Sequence, residues 1–180
     1  MKHIIQITLL MLIFCSCRKY TPSVYEVVGI ELGNCDNSDI RPIEVITDSV
    51  PMKAYAIKIT LTQEMRKKSN DPESESGTIN EDRLNSFNIF SLNNFDSSHP
   101  ARASLNTYFL TALGASATIE SLVSKGEIGG GIRHNNDAWT TEEFLYLMTP
   151  PSAAGNQSFV VNIGLSDGRN LSDTIKVKLY

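Results

Sequence analysis

The chain has 180 residues, a formal charge of −4, 41% hydrophobic and 20% charged residues, and three cysteines. A slightly acidic balance with no basic stripe to neutralise phosphates argues against nucleic acid as a partner. The apolar and charged fractions are those of an ordinary globular protein, and the length suits one domain with a single core.

The first stretch has the parts of a lipoprotein signal. Lys2 supplies a positive start, and residues 4–14 are apolar except for Gln6 and Thr8. At about 1.5 Å per residue this run covers roughly half of a ~30 Å hydrocarbon core, too short for a lasting span. Ser16 directly before Cys17 fits a lipobox, although Phe14 is bulkier than the Leu usual three places upstream. Cys15 is the competing acceptor, with Leu12 at that upstream place but Phe14 immediately before it. The expected organisation is a signal peptide over 1–16, a lipidated tether over 17–23 and a single β-rich domain over 24–180. The alternatives are an ordinary signal peptide cut nearby or an apolar first strand. Thioether and N-acyl chains on Cys17 would anchor firmly, since each buried CH₂ contributes ~0.8 kcal/mol. Arg18 follows the cysteine where an Asp would favour inner-membrane retention. The expected address is therefore the cell envelope, at the outer membrane of a Gram-negative bacterium, with the leaflet open. Beyond this region only Cys35 remains, which leaves no internal disulfide framework. It reads as a small half-buried residue near a turn.

The first strand is predicted over 24–32, where Val28, Ile30 and Leu32 alternate with Gly29 and Glu31. Residues 33–39 are turn formers, and Asp36 and Asp39 lack the spacing of a calcium loop. Ile43, Val45 and Ile46 suggest an extended piece. Residues 54–62 alternate strictly, with Tyr55, Ile57, Ile59 and Leu61 on one face. Residues 63–81 are polar throughout and read as a loop. Strand character returns at 87–92, followed by a turn over 93–100 and a helical turn over 104–109. Residues 119–123 are ambiguous between helix and strand, and the triple glycine at 129–131 reads as a flexible connection. Thr140-Thr141-Glu142-Glu143 has the form of a capping box, with Trp139 placed to staple against Phe144. The run 144–148 ending at Pro150 favours a strand introduced by one helical turn. The chain closes on a predicted β-hairpin: Phe159, Val161, Ile163 and Leu165, a turn around Asp167-Gly168, then Ile175, Val177 and Leu179.

Short alternating strands separated by turn clusters predict an all-β fold, an antiparallel β-sandwich of immunoglobulin-like architecture, with a partly open β-barrel as the alternative. The lipobox, Tyr25 to Ile30, Ala54 to Ile59, Phe95 to Pro100 and the closing hairpin together resemble an uncharacterised family of Bacteroidetes lipoproteins, a domain of unknown function. The resemblance implies no functional residues.

No catalytic constellation is visible. His99 and His134 lie in polar sequence without a helical His pair or Cys cluster to hold zinc, and no Gly-x-Ser-x-Gly elbow is present. No metal or cofactor is implied. The densest polar-aromatic cluster is His134 with Asn135, Asn136, Asp137 and Trp139. Its possible ligand contacts are His134 and Trp139, against the plainer reading of a solvated loop with Trp139 in the core. The expected function is a membrane-anchored, non-catalytic binding module for an envelope protein or glycan. The alternative is an envelope hydrolase or glycan-processing accessory with a site near His134 and Trp139.

Overall fold

A computed structural model describes residues 23–67, 78–80, 82–111, 117–126, 132–135 and 138–180. The signal, the lipobox cysteines, the triple glycine and residues 68–77 and 81 of the polar stretch 63–81 lie outside the described residues.

Two sheets face one another. The larger contains β1 (Ser23–Asp36), β2 (Ile43–Glu44), β4 (Tyr55–Lys67), β7 (Phe109–Thr111), β8 (Ala117–Thr118) and β10 (Ala138–Leu147), ordered β2-β1-β4-β10-β7-β8. Two short strands, β5 (Thr78–Asn80) and β9 (Ile132–Asn135), pair with β1 and β10 respectively. The smaller sheet is β3 (Ser49–Val50), β12 (Asn170–Leu179), β11 (Gly155–Leu165) and β6 (Leu84–Ser91), in that order. The run β1-β4-β10-β7 against β6-β11-β12 has the A-B-E-D and C-F-G order of a constant-type immunoglobulin domain. The expected sandwich is therefore what the chain forms. The partly open barrel is not: no ladder among the described residues joins the sheets. Their seam between β1 and β12 is bridged through side chains, Leu32 N–H to Asp173 Oδ2 and Asn34 Nδ2 to the Lys176 carbonyl, both at 2.9 Å.

The alternation in β4 and β11 builds the core. Tyr55, Ile57, Ile59 and Leu61 from one sheet and Phe159, Val161 and Ile163 from the other are all buried. Phe159 ties the layers together. Its ring centroid lies 5.5 Å from Tyr55, stacked, and 5.8 Å from Phe109, edge-on. The closing hairpin forms as expected, with Gly168 at φ 90 supplying the left-handed residue of its turn. The helical turn expected around 104–109 is a 3-10 turn at Asn106–Tyr108. The ambiguous segment is helix α1 (Ile119–Lys125), capped by Thr118 Oγ1, which accepts from Ser121 N–H at 3.2 Å.

Four expectations need correction. Residues 33–36 are not a turn but the end of β1, since Gly33 to Asp36 pair in register with Lys58 to Tyr55. Cys35 is consequently fully buried in a strand rather than half-buried beside a turn. Residues 63–67 and 78–80 of the polar stretch are strand, because neighbours on β1 supply the hydrogen bonds that its composition does not predict. The helical turn at 140–143 is absent. Those residues pair with β4 on one side and, at Thr140 and Thr141, with β9 on the other. Trp139 and Phe144 then fall on opposite faces of a strand, so no staple forms.

Candidate functional site

Cys17 and Cys15 lie outside the described residues. The other two sequence candidates meet across a hairpin: in the β9–β10 ladder His134 is the register partner of Trp139. Trp139 is half-buried, and its ring meets Tyr25 edge-on at a centroid distance of 5.3 Å. That packing uses part of the ring a stacking ligand would need.

Trp139 also opens a row the sequence reading missed. Along β10 the same face carries Thr141, Glu143, Leu145 and Leu147, all buried. The row is polar at the Trp139 end and apolar at the other. Gln63 Nε2 donates to Thr141 Oγ1 at 3.1 Å, and Glu143 Oε1 accepts the Phe144 N–H at 3.2 Å. The capping-box reading concealed this face. The residue types give no alternating signal, since Thr140-Thr141 and Glu142-Glu143 are like pairs and Phe144 to Leu147 are all apolar; only the burial alternates along the strand.

A second polar cluster lies in the loop after β6. Asp96 Oδ1 accepts from the backbone N–H groups of Ser98 and His99 at 2.7 and 2.8 Å, and stands 3.0 Å from His99 Nδ1. Tyr108 donates to the same carboxyl, and its ring centroid is 4.4 Å from that of His99. Desolvation pushes the Asp96 carboxyl up. The hydrogen bonds from His99, Tyr108 and the two backbone N–H groups outweigh it and hold the pKa at about 2. An Asp–His pair can orient a base, but no hydroxyl or thiol is placed against the far nitrogen of His99 by any bond of this cluster. It reads as a loop clasp.

Cys35 is no more reactive. Burial, followed by the nearby Glu44 carboxylate, pushes its thiol up to about 11, so it is protonated at neutral pH. Along the seam of the two sheets runs an open groove of about 420 Å³, lined by Leu32, Asn34, Glu44, Val45, Asp48 and Ile175 among others. Among the described residues no group of three or more His, Cys, Asp or Glu is placed to hold a metal ion. None of the described helices is long and apolar enough to cross a membrane.

What stands out is the distribution of exposed apolar side chains. β1 carries the chain from one end of the sandwich to the other, roughly 45 Å at about 3.3 Å per residue. Ile40, Ile43, Ile46, Leu92, Met148 and Tyr180 are all large, exposed hydrophobics. All six lie at the pole far from Ser23: Leu92 after β6, Met148 after β10, Tyr180 after β12, and the isoleucines between β1 and β4, with Ile43 in β2. Among the described residues only Val28 and Met65 of the exposed large hydrophobics lie towards the other pole.

Residues 27–176 match the family described as Domain of unknown function (DUF5034). The chain belongs to this family. The match begins two strand positions past Tyr25 and ends within β12, so it spans both sheets of the sandwich. No curated protein and no solved structure matches the chain.

Proposed function

We propose that the chain is a lipid-anchored envelope protein that acts as a non-catalytic binding module. Its anchor is Cys17, with Cys15 as the less favoured acceptor. Its address is the outer membrane of a Gram-negative bacterium. The affiliation with Bacteroidetes lipoproteins belongs to the same proposal. The reading is carried by one observation: among the described residues, the pole of the sandwich opposite Ser23 gathers six exposed large hydrophobics, where a partner would find apolar surface. The five residues between Cys17 and Ser23 make six Cα-to-Cα steps and would reach at most about 20 Å, keeping the Ser23 end close to the bilayer. The partner is an envelope protein or glycan.

A second reading, a hydrolase or glycan-processing accessory, draws on the pairing of His134 with Trp139 across β9 and β10. The two readings separate in one experiment. The full chain, purified in detergent, is assayed on a broad panel of ester, peptide and glycoside substrates. No turnover is expected. Turnover abolished by His134→Ala in a variant with unchanged unfolding temperature would replace the binding module with the hydrolase.

A further inference from the structure

The outer face of the smaller sheet is made by the side chains that alternate with its core positions. β6 turns out Ser86, Asn88 and Phe90, β11 Val160, Asn162 and Gly164, and β12 Asn170, Ser172 and Thr174. The registers align them in three rows across the strands: Phe90, Val160 and Thr174; Asn88, Asn162 and Ser172; Ser86, Gly164 and Asn170. At about 4.8 Å between strands and two residues between rows, these positions cover roughly 10 Å by 14 Å.

A solvated sheet face is ordinarily polar, so polarity alone carries no meaning. Two features set this face apart. Its three rows hold no charge, whereas the central rows on the outer face of β1, β4 and β10 include Glu31, Lys58 and Glu142. Its middle row also has its amides fixed with their donors free. The Ser172 hydroxyl donates to Asn162 Oδ1 at 2.6 Å, and the Ser104 hydroxyl to Asn88 Oδ1 at 2.8 Å. Both carbonyl oxygens are thus engaged, and no acceptor among the described residues takes the Nδ2 hydrogens of Asn88 or Asn162. On one side of this row lie the register partners Phe90 and Val160, which are apolar. On the other, Ser86 and Asn170 lean over Gly164, where a Cβ would run into Ser86 Oγ and stand 3.2 Å from Asn170 Oδ1.

A ligand that matches these rows is uncharged, rich in acceptor oxygens and apolar along one flank. A neutral sugar chain has that make-up: oxygens around the ring edge, and a C–H face that rests on an aromatic ring. Charged polymers and anionic lipid find no countercharge in the nine positions. An extended peptide gains most at an open strand edge. The edge of β6 beside this face is already taken, by Arg102 N–H on the Ser91 carbonyl and Leu105 N–H on the Ile89 carbonyl, both at 2.7 Å.

We infer that the outer face of β6, β11 and β12 binds a neutral glycan. One sugar ring lies against Phe90, and oxygens of the chain accept from Asn88 and Asn162. This rests on the binding-module reading and narrows its partner to a sugar. The site is separate from His134 and Trp139, which belong to the other sheet.

The experiment runs the full chain, in a zwitterionic sugar-free detergent, through native gels cast with dextran, mannan, xylan or mixed-linkage β-glucan. Polygalacturonate and heparin serve as charged probes. At least one neutral polysaccharide is expected to retard the chain, and neither charged one. Asn88→Ala/Asn162→Ala and Phe90→Leu should each weaken the retardation about tenfold or more, with unfolding temperatures unchanged. Glu31→Gln, on the other sheet, should run as the native chain does. No retardation by the four neutral polymers, retardation by the charged ones alone, or retardation indifferent to both variants would overturn the inference. So would an equal loss in Glu31→Gln. The two readings fail separately: His134-dependent turnover would remove the binding module without touching this retardation, and absent retardation without turnover would leave the module a protein partner.

Discussion

Arg169 reaches 142 positions back along the chain to hold Val27: its Nη1 donates to the Val27 carbonyl at 2.7 Å. Its Nη2 donates to Asp82 Oδ2 at 2.7 Å, and the same oxygen accepts the Val27 N–H at 2.7 Å. The three groups clasp β1 where its register with β4 shifts between Val27 and Gly29. The shift explains why Val28 is exposed although it sits in an apolar run. The clasp also joins the turn between β11 and β12 to the edge of the other sheet.

Replacing Asp82 by Ala would strip the acceptor from both Val27 N–H and Arg169 at a site where the carboxylate is 6% exposed. Leaving a buried donor unsatisfied costs about 2 kcal/mol. For a domain of this size that corresponds to a fall of roughly 4–8 °C in unfolding temperature. Calorimetry of Asp82→Ala checks it. Asp167→Ala, which removes a carboxylate that is 42% exposed from the same arginine, should cost much less.

Phe159 should be the most costly core position. It lies between Tyr55 and Phe109 of the opposite sheet, and truncation to Ala opens a cavity that neither neighbour can fill. A loss of about 3–5 kcal/mol is expected, read as a shift of the urea midpoint, with Phe159→Leu losing less.

The Cys35 thiol should resist alkylation in the folded protein. With a pKa of about 11 only roughly one molecule in a thousand carries the thiolate at pH 8, and the side chain is fully buried. Iodoacetamide at pH 8 should modify the Cys35 peptide quickly in guanidinium and far more slowly in buffer, as read by mass spectrometry. Because folding raises this pKa, the stabilisation is present below the ordinary thiol value of 9.0 and is lost as pH rises through about 11.

Asp96 gives the opposite dependence. Its folded pKa of about 2 lies below the ordinary 3.8, so its contribution to stability is full above that value and fades as pH falls towards 2. The difference in urea midpoint between the native chain and Asp96→Ala should therefore be larger at pH 7 than at pH 2. A difference independent of pH would mean that the carboxylate does not hold the loop.

The strands that one face must bury were legible in the residues: Tyr55, Ile57, Ile59 and Leu61 alternate with polar or small neighbours, and Phe159, Val161, Ile163 and Leu165 do so except at Val160, which is also buried. Elements that depend on partners were not. Gly33-Asn34-Cys35-Asp36 has the composition of a turn, yet Asn34 is fixed by the Tyr55 hydroxyl at 2.8 Å and by its bond to Lys176, contacts remote in sequence. Thr140 to Glu143 has a local helix-start signal that pairing with β4 and β9 overrides. At the candidate site, His134 and Trp139 were singled out from composition, and only the ladder shows that they are register partners. The buried row of Thr141 and Glu143 was hidden by the same capping signal. The exposure of Ile40, Ile43 and Ile46 was illegible for a simpler reason: nothing in a sequence says which apolar residues will be left outside.

The central claim is that a lipid on Cys17 tethers a binding domain, and metabolic labelling with a palmitate analogue tests it most directly. The full chain should take up label and sediment with membranes. Cys17→Ser should lose both, and Cys15→Ser should keep both. Undiminished labelling of Cys17→Ser would contradict the account.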